Sequence, residues 1–144
     1  MESTVKGIFA AGDVAEGNDL LTGQRQLIMT WLNASSQGRF AGLNMAGYEA
    51  KSPGGIAMDT AHFFDLYLAS AGIHTPPDEG KYRIMRDYRP GDKFYKKLVL
   101  RAGKIMGLIG VGKPVDKSGV ICGLIKARGD ASDFAQRLFK DWGV

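Results

Sequence analysis

The sequence predicts an α+β fold, in which an antiparallel sheet of four to five strands carries C-terminal helices on one face. Two observations predict this fold. Short alternating or apolar runs, separated by turn residues, fill the middle of the chain. Helical spacing of apolar residues returns only after Pro114. This order, with strands first and helices last, is typical of an antiparallel sheet that is covered on one side.

The predicted strands span roughly 56–66, 68–73, 81–87, 94–100 and 104–111. The sequence Arg101-Ala102-Gly103-Lys104 is typical of the tight turn of a hairpin and would join the last two strands. The strand at 94–100 alternates between two faces, one with Phe94, Lys96, Leu98 and Leu100 and the other with Tyr95, Lys97 and Val99. A half-polar strand of this kind fits a sheet with one covered face.

Two helices are expected after the strands. The first has an apolar stripe made by Val120, Ile121, Leu124 and Ile125. Either Ser118 or Asp116 would cap it. The second has a stripe made by Phe134, Leu138 and Trp142, with Ser132 as the expected cap.

The N-terminal part of the chain contains a candidate ligand edge. Residues 8–11 form an apolar run that predicts a short buried strand, and Gly12 and Asp13 follow it directly. A strand that ends in Gly-Asp offers a ligand a carboxylate and a closely approaching backbone. The other interpretation is that Asp13 caps a turn or helix, and the residues alone support both equally.

The segment 15–30 is expected to form a loop or a short hairpin. A helix is predicted over about 33–48, with Asn33 or Ser35 as its cap. Its small-residue stripe consists of Ala34, Gly38, Ala41, Gly42 and Met45. Glycine inside a helix costs about 1 kcal/mol relative to alanine, so this stripe indicates close approach to a neighbouring strand or to a flat cofactor.

Composition excludes several classes of protein. The 144 residues have a net charge of +4, but basic and acidic side chains are interspersed, which argues against nucleic-acid binding. No apolar run is long enough to span a bilayer and no signal peptide is evident, so no membrane association is predicted. A single cysteine, Cys122, excludes an internal disulfide framework and favours a cytoplasmic location.

Other candidate sites are weak. His62 and His74 are the only histidines, and together with Cys122 they lack the spacing of metal ligands, so no metal site is predicted. Cys122 lies in an apolar run and is expected to be a small buried hydrophobe. The run from Gly107 to Lys113 is similar to a phosphate-binding loop, but Pro114 replaces the required Ser or Thr. We therefore expect Gly107 to lie in a strand.

The clearest break in the chain is Lys51-Ser52-Pro53-Gly54-Gly55. It predicts two parts, residues 1–52 and residues 53–144.

Two stretches of sequence resemble a known family. Thr4-Val-Lys-Gly-Ile-Phe-Ala-Ala-Gly-Asp-Val14 is similar to the second flavin-binding motif of FAD-dependent pyridine nucleotide–disulfide oxidoreductases. The pattern from Trp31 to Gly47, with Gln37-Gly38-Arg39 at its centre, resembles the same family. The similarity is closest to the branch of NADH oxidases, NADH–rubredoxin reductases and the flavin part of nitrite reductases. The rest of the chain resembles the C-terminal domain of that branch only loosely.

The resemblance implies a role for each part of the chain. Residues 1–52 would be a strand–helix remnant of the FAD-binding domain, and residues 53–144 the interface domain that helps to build a homodimer. The implied FAD contacts are Gly12, Asp13, Val14, Asn33 and Ala34, with Asp13 bonded to the ribityl chain. The implied parent enzyme passes electrons from NAD(P)H through FAD to an acceptor that the sequence does not identify.

The resemblance also implies that parts of such an enzyme are missing here. The family's two Gly-x-Gly-x-x-Gly loops and its redox cysteines lie upstream of the matching region, and no such loop opens a helix in this chain. No catalytic residue is therefore assigned, and the chain alone is expected to retain no FAD and to be inactive. The alternative is a stand-alone dimerisation module that never binds flavin.

Overall fold

The computed structural model describes residues 1–143, which divide into two compact units, one over Met1–Ala57 and one that begins at Met58. This division lies a few residues after the predicted boundary. The reason is that Gly55 is hydrogen-bonded into the first unit. Its N–H donates to the Asn18 carbonyl, and its own carbonyl accepts from the Leu20 N–H, both at 2.9 Å.

The first unit contains a hairpin of β1 (Glu16–Asn18) and β2 (Arg25–Leu27), followed by helix α1 (Trp31–Met45). Of the two alternatives predicted for this segment, a loop or a short hairpin, the structure has the hairpin. Its loop is organised by Asp19, which is buried. The Asp19 carboxylate accepts from the Leu21 N–H, the Thr22 hydroxyl and the Gln26 amide, at 2.9, 2.9 and 2.7 Å.

The strand predicted over residues 8–11 is wrong. Phe9 forms only an isolated bridge with Glu2, and the Ile8 side chain is 56% exposed. A lone strand of this length is not stable in water, and no second strand in residues 1–143 extends the pairing.

The predicted start of α1 is also wrong by two residues, because Thr30 is the cap. Thr30 is extended, and its hydroxyl accepts from the Asn33 N–H at 3.4 Å. Asn33 cannot serve as the cap because it lies within the first turn. The helix ends at Met45, short of the predicted residue 48.

The second unit is built on a five-stranded antiparallel sheet. Its strands are β3 (Met58–Phe63), β4 (Leu66–Gly72), β5 (Arg83–Arg89), β6 (Phe94–Arg101) and β7 (Lys104–Val111), in the spatial order β3-β4-β7-β6-β5. The predicted α+β class and strand number are confirmed. The first predicted strand was too long, because a turn at Phe64 and Asp65 ends β3 and starts the return strand.

Two helices follow, α2 (Ser118–Ala127) and α3 (Ala135–Asp141), and α2 packs against β4 and β7. The predicted caps are wrong. The Ser118 hydroxyl instead donates to the Pro114 carbonyl at 3.0 Å. Ser132 is too early in the chain to cap α3, because the residue at the cap position is Phe134. Trp142 follows α3 and is fully buried, and its indole N–H also donates to the Pro114 carbonyl.

Two residues singled out in the sequence have structural roles. Cys122 lies on the buried side of α2, and burial raises the pKa of its thiol. Gly107 lies within β7, as predicted, where a Cβ would come within 2.4 Å of the Ile73 carbonyl oxygen. Close packing of backbone therefore explains this glycine without a phosphate. None of the helices among residues 1–143 combines the length and apolar character needed to cross a bilayer.

A buried lysine connects the sheet to the end of α3. Lys96 is 2% exposed, and its ammonium donates to the carbonyls of Phe139 and Trp142 at 2.7 and 2.6 Å. The ammonium also lies 4.7 Å from the centre of the Phe139 ring. A cation at this position satisfies carbonyls that helix geometry leaves unpaired and complements the helix dipole.

We expect Lys96→Met to lower the free energy of unfolding by about 1–3 kcal/mol, because the Phe139 and Trp142 carbonyls lose their buried donor. Urea denaturation followed by circular dichroism measures this change. Lys104→Met is the matched control, because Lys104 is exposed on the same sheet and should change stability by less than about 0.5 kcal/mol. Equal stability of the two variants would contradict the role given to Lys96.

The Lys96 substitution should also change the pH dependence of stability. Burial lowers the pKa of the Lys96 ammonium below its ordinary value. Between that lowered pKa and the unfolded value near about 10.4, the unfolded state binds more protons than the folded state. The stability contribution of Lys96 therefore rises with pH across this window, and Lys96→Met should lack that rise.

Candidate functional site

Three of the five predicted flavin contacts line one cleft in the first unit. The cleft has a volume of about 510 Å³ and is formed by the turn that follows Ala11, the end of the hairpin and the start of α1. Its lining residues are Ala11, Asp13, Val14, Met29, Thr30, Trp31 and Ala34. Three of the five predicted residues, Asp13, Val14 and Ala34, therefore meet at this surface.

Gly12 shapes the turn that presents Asp13. Its φ of +84° lies in the left-handed region that glycine adopts without strain. Its carbonyl accepts from the Ala15 N–H at 3.0 Å, which closes the turn. A Cβ on Gly12 would lie 3.5 Å from the Cβ of Ala34, so the turn contacts the first part of α1.

Gln37 holds this turn from inside the unit. The side chain is 1% exposed, and its Oε1 accepts the Gly12 N–H at 2.8 Å. Its Nε2 is buried without a hydrogen-bond partner among residues 1–143. Sequence reasoning missed this residue. The available signal was a polar residue four positions after Asn33, on the helix side that proves to be buried.

Asp13 and Val14 project from the turn toward solvent. Asp13 is exposed, and within the described part of the chain its carboxylate forms no hydrogen bond or ion pair. The alternative interpretation, a turn or helix cap, is therefore not supported by a side-chain hydrogen bond. Val14 is 80% exposed and adds an apolar surface next to the carboxylate.

Asn33 and Ala34 lie on different sides of α1. Ala34 faces the cleft, whereas Asn33 is 6% exposed and donates its amide to the Ile28 carbonyl at 2.9 Å. The Asn33 side chain thus fixes the corner between β2 and α1. Sequence reasoning also missed Trp31 and Met29, which line the cleft and are 84% and 65% exposed.

The cleft presents one carboxylate, exposed apolar side chains and the start of α1 to a ligand. The Asp13 carboxylate can accept hydrogen bonds from hydroxyl groups, and the first N–H groups of α1 can donate to carbonyl or anionic oxygens. Its lining contains no histidine, cysteine or lysine, so the cleft can bind and orient a ligand but offers little for acid–base or nucleophilic chemistry.

Two further observations limit the site. A larger cleft of about 600 Å³ lies in the same unit, but it contains none of the predicted contacts. Among residues 1–143, no group of three or more acidic, histidine or cysteine side chains is placed to hold a metal ion.

Known proteins match this chain both in sequence and in fold. No protein-family model matches the sequence. The chain is 30% identical over 140 residues to the NADH-dependent phenylglyoxylate dehydrogenase subunit epsilon of Aromatoleum evansii, covering 96% of this chain and 32% of that protein.

Two solved structures match the fold over 94% of this chain. The NAD-dependent persulfide reductase from A. fulgidus matches with a TM-score of 0.77 and 26% identity, over 28% of its length. An FAD-dependent pyridine nucleotide-disulphide oxidoreductase from Desulfovibrio vulgaris matches with a TM-score of 0.75 and 20% identity, over 36% of its length.

The chain thus spans about a third of the length of the proteins that it matches. In these NAD(P)H-dependent oxidoreductases the matched region is the C-terminal part. The sequence resemblance to the family is therefore confirmed. In sequence and in fold, this chain is similar to the C-terminal portion of the FAD-dependent pyridine nucleotide–disulfide oxidoreductases.

Proposed function

We propose that these residues provide the flavin-contacting edge and the C-terminal domain of an FAD-dependent oxidoreductase that passes electrons from NAD(P)H to an acceptor. The observation that carries this proposal is the Gly12–Val14 turn, which presents an unpaired carboxylate beside the start of α1. The relatives are NAD(P)H-dependent oxidoreductases by name, which supports the same reaction class.

Each residue of the edge has a distinct proposed role. Asp13 accepts hydrogen bonds from the ribityl hydroxyls of FAD, while Val14 and Ala34 contact its apolar surface. Asn33 supports the cleft from the buried side of α1, because its side-chain amide donates a hydrogen bond to the Ile28 carbonyl. The bound FAD would supply the hydride chemistry, and the protein would supply its binding, orientation and electrostatic environment.

The exposed side of α1 supports the proposal that a further protein part covers this unit. Around Gly38 and Gly42, a Cβ would meet nothing within 4 Å. Both glycines nevertheless lie inside the helix, where each costs about 1 kcal/mol relative to alanine. Trp31 and Met45, on the same side of the helix, are 84% and 69% exposed. Close contact with another protein part would explain both the glycines and the exposed apolar residues.

We predict that the 144-residue chain does not retain FAD on its own, because the Gly-x-Gly-x-x-Gly loop that holds the ADP half is absent from it. Titration of the purified chain with FAD, followed by flavin fluorescence, should show no saturable binding at FAD concentrations below about 100 μM. This limit corresponds to a binding free energy weaker than about −5.5 kcal/mol.

Saturable binding would overturn this prediction and make the Gly–Asp edge sufficient on its own. Asp13→Ala should then abolish the binding, and Asp133→Ala, an exposed aspartate of the second unit, should leave it unchanged. Binding that survives Asp13→Ala would count against the proposed role of Asp13.

We also propose that the second unit forms a homodimer, and the observation that favours this is an exposed aromatic hairpin tip. Phe63 and Phe64, at the turn between β3 and β4, are 62% and 98% exposed. Phe64 also has a φ of +55°, which is unfavourable for a bulky residue. An ion pair between Lys93 and Asp65 holds the tip. An exposed aromatic side chain is a common anchor of protein interfaces.

We expect light scattering to give about twice the chain mass of 15.6 kDa. Phe64→Gly should weaken the dimer at least about tenfold while relieving the backbone strain. Ala102→Gly is the matched control, because it relieves a left-handed φ of +47° in another hairpin without removing an aromatic side chain. A monomeric wild-type protein, or equal dimer affinity of both variants, would contradict the proposal.

A further inference from the structure

A small cavity in the second unit is lined by cationic side chains. It has a volume of about 170 Å³ and lies where β5 begins and β6 ends, next to the turn between β6 and β7. Its charged lining residues among residues 1–143 are Lys81, Arg83 and Arg101, and none is acidic. A cavity of this volume can hold several water molecules, so it has room for an anion of a few heavy atoms.

The two arginines of the cavity have no acidic partner among residues 1–143. Arg83 donates from its Nη2 to the Oε1 of Gln136, a neutral amide, at 2.6 Å. The Arg101 guanidinium lies 5.5 Å from the centre of the Tyr82 ring, on the neighbouring strand side of the cavity. These contacts orient both guanidinium groups but leave their charges without a counter-ion.

Two carboxylates lie near the cavity but outside its lining. Asp78 pairs with Lys81 at 2.9 Å, and both side chains are more than half exposed, so this ion pair is weak. Asp130 lies beside the turn between β6 and β7, where its Oδ1 accepts the Ser132 N–H at 2.8 Å. An anion inside the cavity would therefore meet cations from two strands and no lining carboxylate.

The wall formed by Gly103 and Ser132 is fixed by backbone contacts. Gly103 has a φ of +75°, and a Cβ on it would lie 2.4 Å from the Ser132 Oγ. The Gly103 carbonyl also accepts the Ala131 N–H at 2.7 Å, which holds the loop before α3 against the turn. The cavity therefore exists without any rearrangement of the backbone.

We infer that Arg83 and Arg101 form a binding site for a phosphate group, with Lys81 as a third cation. Guanidinium is planar and donates two parallel hydrogen bonds to phosphate oxygens, so a pair of arginines suits this ligand. The phosphate can be the free inorganic anion or the end of a phosphate monoester whose remaining part stays outside the cavity. The site lies in the second unit and does not depend on the flavin edge.

Calorimetric titration of the whole chain with inorganic phosphate tests the site, with acetate and chloride at matched ionic strength as references. We expect saturable binding of about one phosphate per chain and a matching rise in Tm. Acetate and chloride should bind at least about tenfold more weakly, because neither accepts hydrogen bonds from two guanidinium groups at once. No saturable phosphate binding, or an equal response to acetate, would overturn the inference.

Arg101→Gln and Arg83→Gln should each weaken phosphate binding at least about tenfold, because each removes one charged donor. Since these residues lie on different strands, a folding defect in one variant leaves the test to the other. Arg86→Gln is the matched control, because Arg86 is an exposed arginine of β5 that does not line the cavity. It removes the same charge and should change the affinity less than about threefold. Equal weakening in all three variants would overturn the inference.

Two further measurements separate charge recognition and the source of the phosphate. Arg101→Lys keeps the charge and should bind phosphate more tightly than Arg101→Gln, and equal weakening would count against charge recognition. Glycerol 3-phosphate is the monoester probe. Binding at least about tenfold tighter than inorganic phosphate would identify a monoester as the source, and equal or weaker binding would identify the free anion.

Discussion

The hydrogen bond from the Gly12 N–H to the Gln37 side chain is the contact on which the candidate site depends. It joins a turn to the middle of α1 across 25 positions of sequence. Gly12 can accept this geometry because its φ is positive, and Gln37 can reach it because α1 buries a polar stripe. The result is that Asp13 stays outside, with its carboxylate free, while the residues behind it are fixed.

Burial of polar groups is a common feature of both units. In the first unit Asp19, Asn33 and Gln37 fix the hairpin, the corner and the turn through side-chain hydrogen bonds. In the second unit Lys96 fixes the end of α3 against β6. These groups are satisfied by backbone atoms for the most part, which makes each contact specific to one arrangement of the chain.

The second unit could be predicted well from the sequence and the first only in part. The strands of the sheet follow from alternation and turn residues, which are local signals, and the Arg101–Lys104 hairpin was located directly. The run at 8–11 also has a strand-like pattern, but pairing needs a neighbour that local sequence cannot reveal. The predicted cap of α1 is wrong because Thr30 directly precedes the first helical residue. The predicted cap of α2 is wrong because the Ser118 hydroxyl donates to the Pro114 carbonyl.

The candidate site shows the same limits. The Gly–Asp motif located the turn. Glycine is the residue type that adopts a positive φ without strain, and aspartate is a residue type that supplies a carboxylate. The roles of Gln37 and Trp31 could not be predicted, since they depend on which side of α1 is buried. That side carries Asn33, Gln37 and Ala41, and apolar residues such as Trp31 and Met45 remain exposed, which reverses the usual pattern for a helix.

The most direct test of the central claim is the FAD affinity of a chimera. The 144 residues would replace the structurally equivalent C-terminal part of the FAD-dependent oxidoreductase from Desulfovibrio vulgaris. We predict about one FAD per chain, with affinity lowered roughly 10- to 100-fold by Asp13→Ala, as expected for loss of a charged hydrogen-bond acceptor, and unchanged by Asp133→Ala. If the two variants bind FAD equally well, the Gly12–Val14 turn is not a flavin-contacting edge.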